Sequence, residues 1–175
     1  MFQHIDSEIK LYTKKILRNN RIWNIILKKI SYKINNLSEF NYLYDSICSY
    51  ITPNNFTYNS LIQIAGIIKS NKILDIIYQD MIQKQCYPNL INYNTFINSF
   101  TKTKNLSMID GCYTEMIYYD IQPNVITYST LIKAYDNMNQ FQKVIEIHRD
   151  MIQNQIQPNV ITYSTLIKAY DNMNQ

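Results

Sequence analysis

The side chains that could hold a metal or relay a proton in this 175-residue chain are two histidines, three cysteines and thirteen carboxylates. Their spacing supports neither task. A zinc deaminase needs His-x-Glu and Cys-x-x-Cys, yet neither His4 nor His148 has that context, and Cys48, Cys86 and Cys112 stand far apart. A metal nuclease needs clustered carboxylates, whereas Asp75, Asp80, Asp110 and Asp136 are scattered. No catalytic set is expected, and no metal or cofactor. An odd number of cysteines with no close pair predicts buried, reduced thiols, and His148, on an apolar stripe, reads as a packed side chain. A different chemistry recurs at regular intervals. Phe56, Asn59, Gln63 and Ile67 are followed by Ile91, Asn94, Asn98 and Lys102, then by Ile126, Ser129, Lys133 and Asn137. Each set joins an apolar side chain to a small hydrogen-bonding one three positions on, with a lysine in two of the three. Aligned on neighbouring helices, such stations suit a strand of flat bases, held by stacking and by edge hydrogen bonds.

The interval is 35 residues: positions 121–140 return letter for letter at 156–175, and Pro53, Pro88, Pro123 and Pro158 each precede an asparagine at one phase. The chain is therefore a tandem array. Residues 55–89, 90–124 and 125–159 are clear units, 20–54 is a degenerate one with Trp23 where later units have tyrosine, and 1–19 is an N-terminal helix or degenerate cap. That cap carries an Ile5, Ile9, Tyr12 and Ile16 stripe. Residues 160–175 supply only a first helix, so the chain is expected to be a piece of a longer array that leaves Tyr163, Leu166, Ile167 and Tyr170 uncovered.

Within a unit, Tyr128, Leu131, Ile132 and Tyr135 share one face of a helix. Asp136, Asn137, Met138 and Asn139 predict a turn. Phe141, Val144, Ile145, His148, Met151 and Ile152 then form a second stripe, which Pro158 ends. Each unit is thus a pair of antiparallel helices, and stacked pairs bury each other's faces. The tyrosines Tyr58, Tyr93, Tyr128 and Tyr163 are expected in the core. Asn89, Asn124 and Asn159, each just before a helix, are also natural N-caps.

With 46% hydrophobic and 17% charged residues the chain is expected to fold, and its net charge of +4 accommodates a polyanion without requiring one. No apolar run reaches the roughly 18 residues of a membrane span. Asp6 and Glu8 interrupt any signal peptide, and they argue against a clean mitochondrial presequence despite Lys14, Lys15 and Arg18.

The 35-residue period, Val-Ile-Thr-Tyr-Ser-Thr-Leu-Ile at the start of a unit, an acid-Met pair in its second helix (Asp80-Met81, Glu115-Met116, Asp150-Met151) and Gln-Pro-Asn at its close resemble the pentatricopeptide repeat, in its P-type form. The tetratricopeptide repeat, a peptide binder, has a 34-residue period and a Trp-x-x-Leu-Gly-x-x-Tyr signature that is absent here. The resemblance implies an all-α fold, a right-handed α-solenoid of stacked antiparallel helix pairs. It also implies single-stranded RNA as partner, read one base per repeat, with a role in RNA processing, stability or translation in a mitochondrion or other organelle.

Carried onto this sequence, the resemblance implies base-reading pairs Asn59 with Asn89, Asn94 with Asn124, and Ser129 with Asn159, with Ser164 lacking a closing partner. Asn24 with Asn54 is a further candidate upstream. Base-wedging side chains are Phe56, Ile91, Ile126 and Ile161. Lys102 matches the family's phosphate-contacting position, and Lys133 and Lys168 lie one turn earlier. The Asn-Asn pairs resemble a pyrimidine preference and Ser-Asn an adenine preference, so the expected core is pyrimidine-pyrimidine-adenine from 5′ to 3′. A helical scaffold that binds protein through the same face, or through the uncovered last helix, is the alternative.

Overall fold

The computed structural model describes residues 3–11 and 19–173, and among them there are ten α-helices and no strand. A short α1 (Gln3–Ile9) precedes α2 (Asn20–Ile30), a 3-10 turn at Ser31–Lys33 and α3 (Leu37–Cys48). Then come α4 (Asn55–Ile68) with α5 (Asn71–Gln83), α6 (Leu90–Lys102) with α7 (Leu106–Tyr118), α8 (Val125–Asn137) with α9 (Phe141–Gln153), and α10 (Val160–Met173). The helices group into two compact units, Met1–Thr95 and Phe96–Gln175.

Helix starts follow from the Pro-Asn phase. The Asn54 carbonyl Oδ1 accepts the Thr57 N–H at 3.1 Å, Asn89 accepts Ile91 and Asn92 N–H at 3.0 Å, and Asn159 accepts Thr162 N–H at 2.9 Å. Asn124 closes a reciprocal capping box with Thr127. Each satisfies donors that the first turn leaves open.

Helix ends follow a rule that the sequence hides. Lys69, Lys104 and Asn139, between the two helices of successive pairs, have φ near 56°, and Gln85, Asp120 and Gln155, after the second helices, lie between 55° and 58°. These are left-handed residues at C-termini, a place that normally takes glycine. The chain has only two glycines and none at these positions.

In the first unit Trp23, Ile26, Leu27, Phe40, Leu43, Tyr58, Leu61 and Ile62 are buried; in the second, Phe96, Ile97, Phe100, Ile109, Tyr128, Leu131 and Val144 are. The second-helix acid fixes the tyrosine hydroxyls against this core. Tyr58, from α4, and Tyr44, from α3, both donate to Asp80 on α5, and Lys84 Nζ lies 3.1 Å from the same carboxylate. In the second unit Tyr113 donates to Asp150, as does Tyr128 at 3.3 Å, while Asn154 Nδ2 donates to the Tyr128 hydroxyl at 3.1 Å. A buried phenol needs an acceptor, and the acid of the acid-Met pair supplies it. Burial works to raise the Asp80 pKa, but the bonds from Tyr44, Tyr58 and Lys84 outweigh it and hold Asp80 below the ordinary aspartate range.

Several expectations change. Asp136 is not a turn residue: α8 runs through Asn137, and Asp136 is buried with Lys168 Nζ at 2.8 Å from Oδ2. On α9 the buried side chains are Val144, Ile147 and Met151, whereas Ile145 and His148 are half-buried and Ile152 is exposed, because the hairpin rotates the helix by part of a turn from the stripe drawn through Ile152. Cys112 is buried and Cys86 half-buried as free thiols, but Cys48 is exposed at the end of α3. Tyr58, Tyr93 and Tyr128 are core, while Tyr163 is exposed because among the described residues no helix follows α10. Leu166 is nonetheless buried, and Ile167 and Tyr170 are exposed. In the N-terminal stripe Ile5 is buried, and Tyr12 and Ile16 lie outside the described residues.

Candidate nucleic-acid interface

In the first unit the helices α2, α4 and α6 present the stations one after another. Phe56 at the start of α4 is 69% exposed and Ile91 at the start of α6 is 56% exposed, large apolar side chains left in solvent at equivalent positions. Between them opens a narrow slot of about 30 Å3 lined by Asn55, Phe56, Asn59, Asn89 and Ile91. That is the space of about one water molecule, so the slot admits no more than the edge of a flat group. On the other side of Phe56 a wider cleft of about 320 Å3 is lined by Asn24, Leu27, Lys28, Ser31, Asn59, Ser60 and Gln63. Phe56 is thus the partition between two recesses, each with an asparagine from the first helix of a pair.

The amides at these positions differ in their partners. The Asn59 Oδ1 accepts the Thr95 hydroxyl at 2.6 Å, from the next first helix. The Oδ1 atoms of Asn24 and Asn94 are shielded from solvent without a hydrogen-bond partner.

In the second unit Ile126 and Ile161 are 60% and 59% exposed at the starts of α8 and α10. Ser129 is only 8% exposed, and its hydroxyl lies 2.9 Å from Thr162 Oγ1. Thr162 Oγ1 in turn donates to Asn159 Oδ1 at 3.0 Å. The two expected readers of this repeat are therefore joined through one threonine hydroxyl. Ser164 is exposed, and its hydroxyl donates to the Val160 carbonyl at 2.7 Å.

A family profile described as the pentatricopeptide repeat domain matches residues 49–103 and 113–173, and a second, described as the PPR repeat family, matches residues 88–137. The chain belongs to the pentatricopeptide repeat family. Solved structures agree in fold. The pentatricopeptide repeat protein PPR10 from maize superposes with a TM-score of 0.74 at 24% identity, over 99% of this chain and 24% of that one. PPR10 in complex with an 18-nt psaJ RNA element gives 0.74 at 17% identity, over 89% of this chain and 24% of the other. The PPR domain of Arabidopsis thaliana protein-only RNase P 1, in complex with tRNA, gives 0.68 at 19% identity, over 89% of this chain and 82% of that domain. This chain spans about a quarter of the PPR10 chains it matches. No curated protein matches it in sequence.

As pentatricopeptide repeats, the two units place the expected residues unevenly. Asn59 and Asn89 line one slot. Ser129 and Asn159 are linked through Thr162. Asn94 belongs to the first unit and Asn124 to the second. The lysines also divide: Lys102, Lys133 and Lys168 are all exposed, but only Lys168 has its Nζ within 2.8 Å of the Asp136 carboxylate. The preceding repeat has Thr101 at the position of Asp136, a residue that offers a lysine no charge.

Sequence reading missed three residues here. Lys28 has the phase of Lys133 and Lys168 in the degenerate unit, so the period alone could have found it. Thr95 acts on an asparagine of another helix, which no local pattern announces; Thr162 stands three residues behind Asn159, the cap of its own helix, and only its contact with Ser129 lies beyond local reach. Among the described residues no group of three or more His, Cys, Asp or Glu could hold a metal ion, and no helix is long and apolar enough to cross a membrane.

Proposed function

We propose that this chain binds single-stranded RNA, one base per pentatricopeptide repeat, through the first helices of its pairs. The observation that carries this reading is the slot at Phe56 and Ile91. Two exposed apolar side chains stand at one helical phase with paired asparagines between them, an arrangement that sandwiches a base by its faces and meets its edge with amides. Phe56, Ile91, Ile126 and Ile161 wedge between bases. Asn59 with Asn89 and Asn94 with Asn124 read pyrimidines, Ser129 with Asn159 reads adenine, and Ser164 offers a further hydroxyl. The core read is pyrimidine-pyrimidine-adenine from 5′ to 3′. Lys28, Lys102 and Lys133 meet phosphates, and Lys168 does so only by leaving Asp136. The role is RNA processing, stability or translation in a mitochondrion or another organelle, by binding and without chemistry of its own.

The PPR10 and RNase P domain structures were determined with RNA, which supports the same class of ligand here. Titration of labelled short RNAs at low and moderate salt tests the reading. Tighter binding to a pyrimidine-pyrimidine-adenine core than to its scrambled counterpart is expected. Equal binding to both, or none at high concentration, removes RNA reading and leaves a helical scaffold for protein.

A further inference from the structure

We propose that Thr95 is a positioning residue for base choice: its hydroxyl holds the Asn59 carbonyl, so that the slot between Phe56 and Ile91 turns amide NH2 donors towards the base in its favoured arrangement. This inference rests on the proposed RNA reading and sharpens it at one base.

Three asparagines line the slot, and each has its carbonyl oxygen engaged by protein. Asn59 Oδ1 takes the Thr95 hydroxyl at 2.6 Å. Asn89 Oδ1 takes the Ile91 and Asn92 N–H groups, both at 3.0 Å, as a helix cap. Asn55 Oδ1 takes the Cys86 thiol at 3.3 Å. Burial, and then the nearby Asp80 charge, push the Cys86 pKa up, so the thiol keeps the proton it donates. An amide with its oxygen engaged presents its NH2 side outward. Among the described residues no group takes the Nδ2 hydrogens of Asn55, Asn59 or Asn89. The slot therefore matches a base edge with adjacent acceptors. Cytosine has N3 and O2 side by side, whereas uracil sets an N–H donor between its two carbonyls. Guanine also has an acceptor pair, O6 and N7, but the narrow slot favours the smaller ring.

Thr95 is the adjustable member. Its single proton has two acceptors in reach, Asn59 Oδ1 and the Ile91 carbonyl at 2.8 Å. When the proton goes to Ile91, the Asn59 amide gains by turning over to donate to Thr95 Oγ1, which presents Oδ1 to the base. A cytosine edge selects the first arrangement, and without the hydroxyl neither is held.

The test compares wild type, Thr95→Val and Thr95→Ser for binding to short RNAs with cores CCA, UCA, CUA and UUA. Wild type and T95S are expected to favour C over U at the first base by about fivefold, roughly the worth of one neutral hydrogen bond. T95V is expected to reduce that ratio to near one while keeping its preferences at the second and third bases. Thr95→Ala serves in its place if T95V fails to fold. A valine or alanine variant that keeps the first-base ratio overturns the proposal, as does one that loses preference equally at all positions. A wild type that favours U at the first base overturns the preference for the donor arrangement while leaving RNA reading intact. A wild type without base preference removes both.

Discussion

At the scale of single residues, the proposed RNA reading gives the asparagines two jobs at once. In the proposed reading, the side chain that caps α4, α6, α8 or α10 is also the one offered to a base, since the cap uses the oxygen and leaves the NH2. Asn89→Ala is therefore expected to weaken pyrimidine binding and to lower stability by about 1 kcal/mol, read as a smaller urea midpoint with unchanged slope. Asn89→Asp keeps the cap and the stability but replaces the outward donor with an acceptor, so it should change base choice alone. Ser129→Asn, with Asn159 kept, is expected to move the third base from adenine towards pyrimidine, measured by single-base substitutions in the RNA. Because Ser129 is buried against Thr162, the larger side chain must displace that bond, and some loss of stability accompanies the shift.

At the scale of elements, the Tyr-Asp-Tyr clamp ties a second helix both to the first helix of its own pair and to the second helix of the pair before. Asp80→Ala leaves the Tyr44 and Tyr58 hydroxyls without their acceptor and is expected to cost about 1–3 kcal/mol, seen in chemical denaturation. The pH dependence has a definite sign. Asp80 is held below the ordinary aspartate pKa in the folded chain, so its contribution is complete above that ordinary value and is lost as pH falls through the lower folded one. Wild type should lose stability on acidification below about pH 4, with a steeper slope than Asp80→Asn. The helix ends offer the opposite kind of change. Lys104 occupies the left-handed region at φ 56°, where a side chain costs roughly 1–2 kcal/mol. Lys104→Gly relieves this at some cost in chain entropy and is expected to raise the denaturation midpoint slightly. This scale shows what the sequence discloses. Helix starts were legible because Pro-Asn recurs in phase, and the first-helix core because Tyr128, Leu131 and Ile132 fall at helical spacing. Helix ends were not, because lysine, glutamine and aspartate took a glycine's place. Asp136 was misread as a turn former since its partner, Lys168, is a neighbour only after repeats stack. The clamp acids were visible as a family signature, but their purpose depends on tyrosines 22 and 36 or 37 residues away.

At the scale of the whole molecule, affinity should be modest. Base stacking contributes roughly 1–3 kcal/mol per base, and association costs an estimated 4–15 kcal/mol, so three or four repeats come close to balance. Electrostatic help is small as well. If Lys28, Lys102 and Lys133 each neutralise one phosphate, log K should fall against log salt with a slope of roughly −2. Lys133→Ala should reduce that slope, measured by titration at several salt concentrations. Lys168→Ala should change it little and should instead destabilise the second unit, since it leaves the buried Asp136 unpaired.

The duplicated helix makes the chain its own control. Helices α8 and α10 share thirteen identical residues from their first valines and both start behind a capping asparagine, so intrinsic propensity and cap are matched. Only their surroundings differ: Tyr128 sits under α9 against Asp150, while Tyr163 faces water. Any gap in amide deuterium uptake between these twins is therefore a direct reading of what a covering neighbour adds to a helix. The α10 amides should exchange sooner, and a peptide binding across Tyr163 and Ile167 should erase the gap.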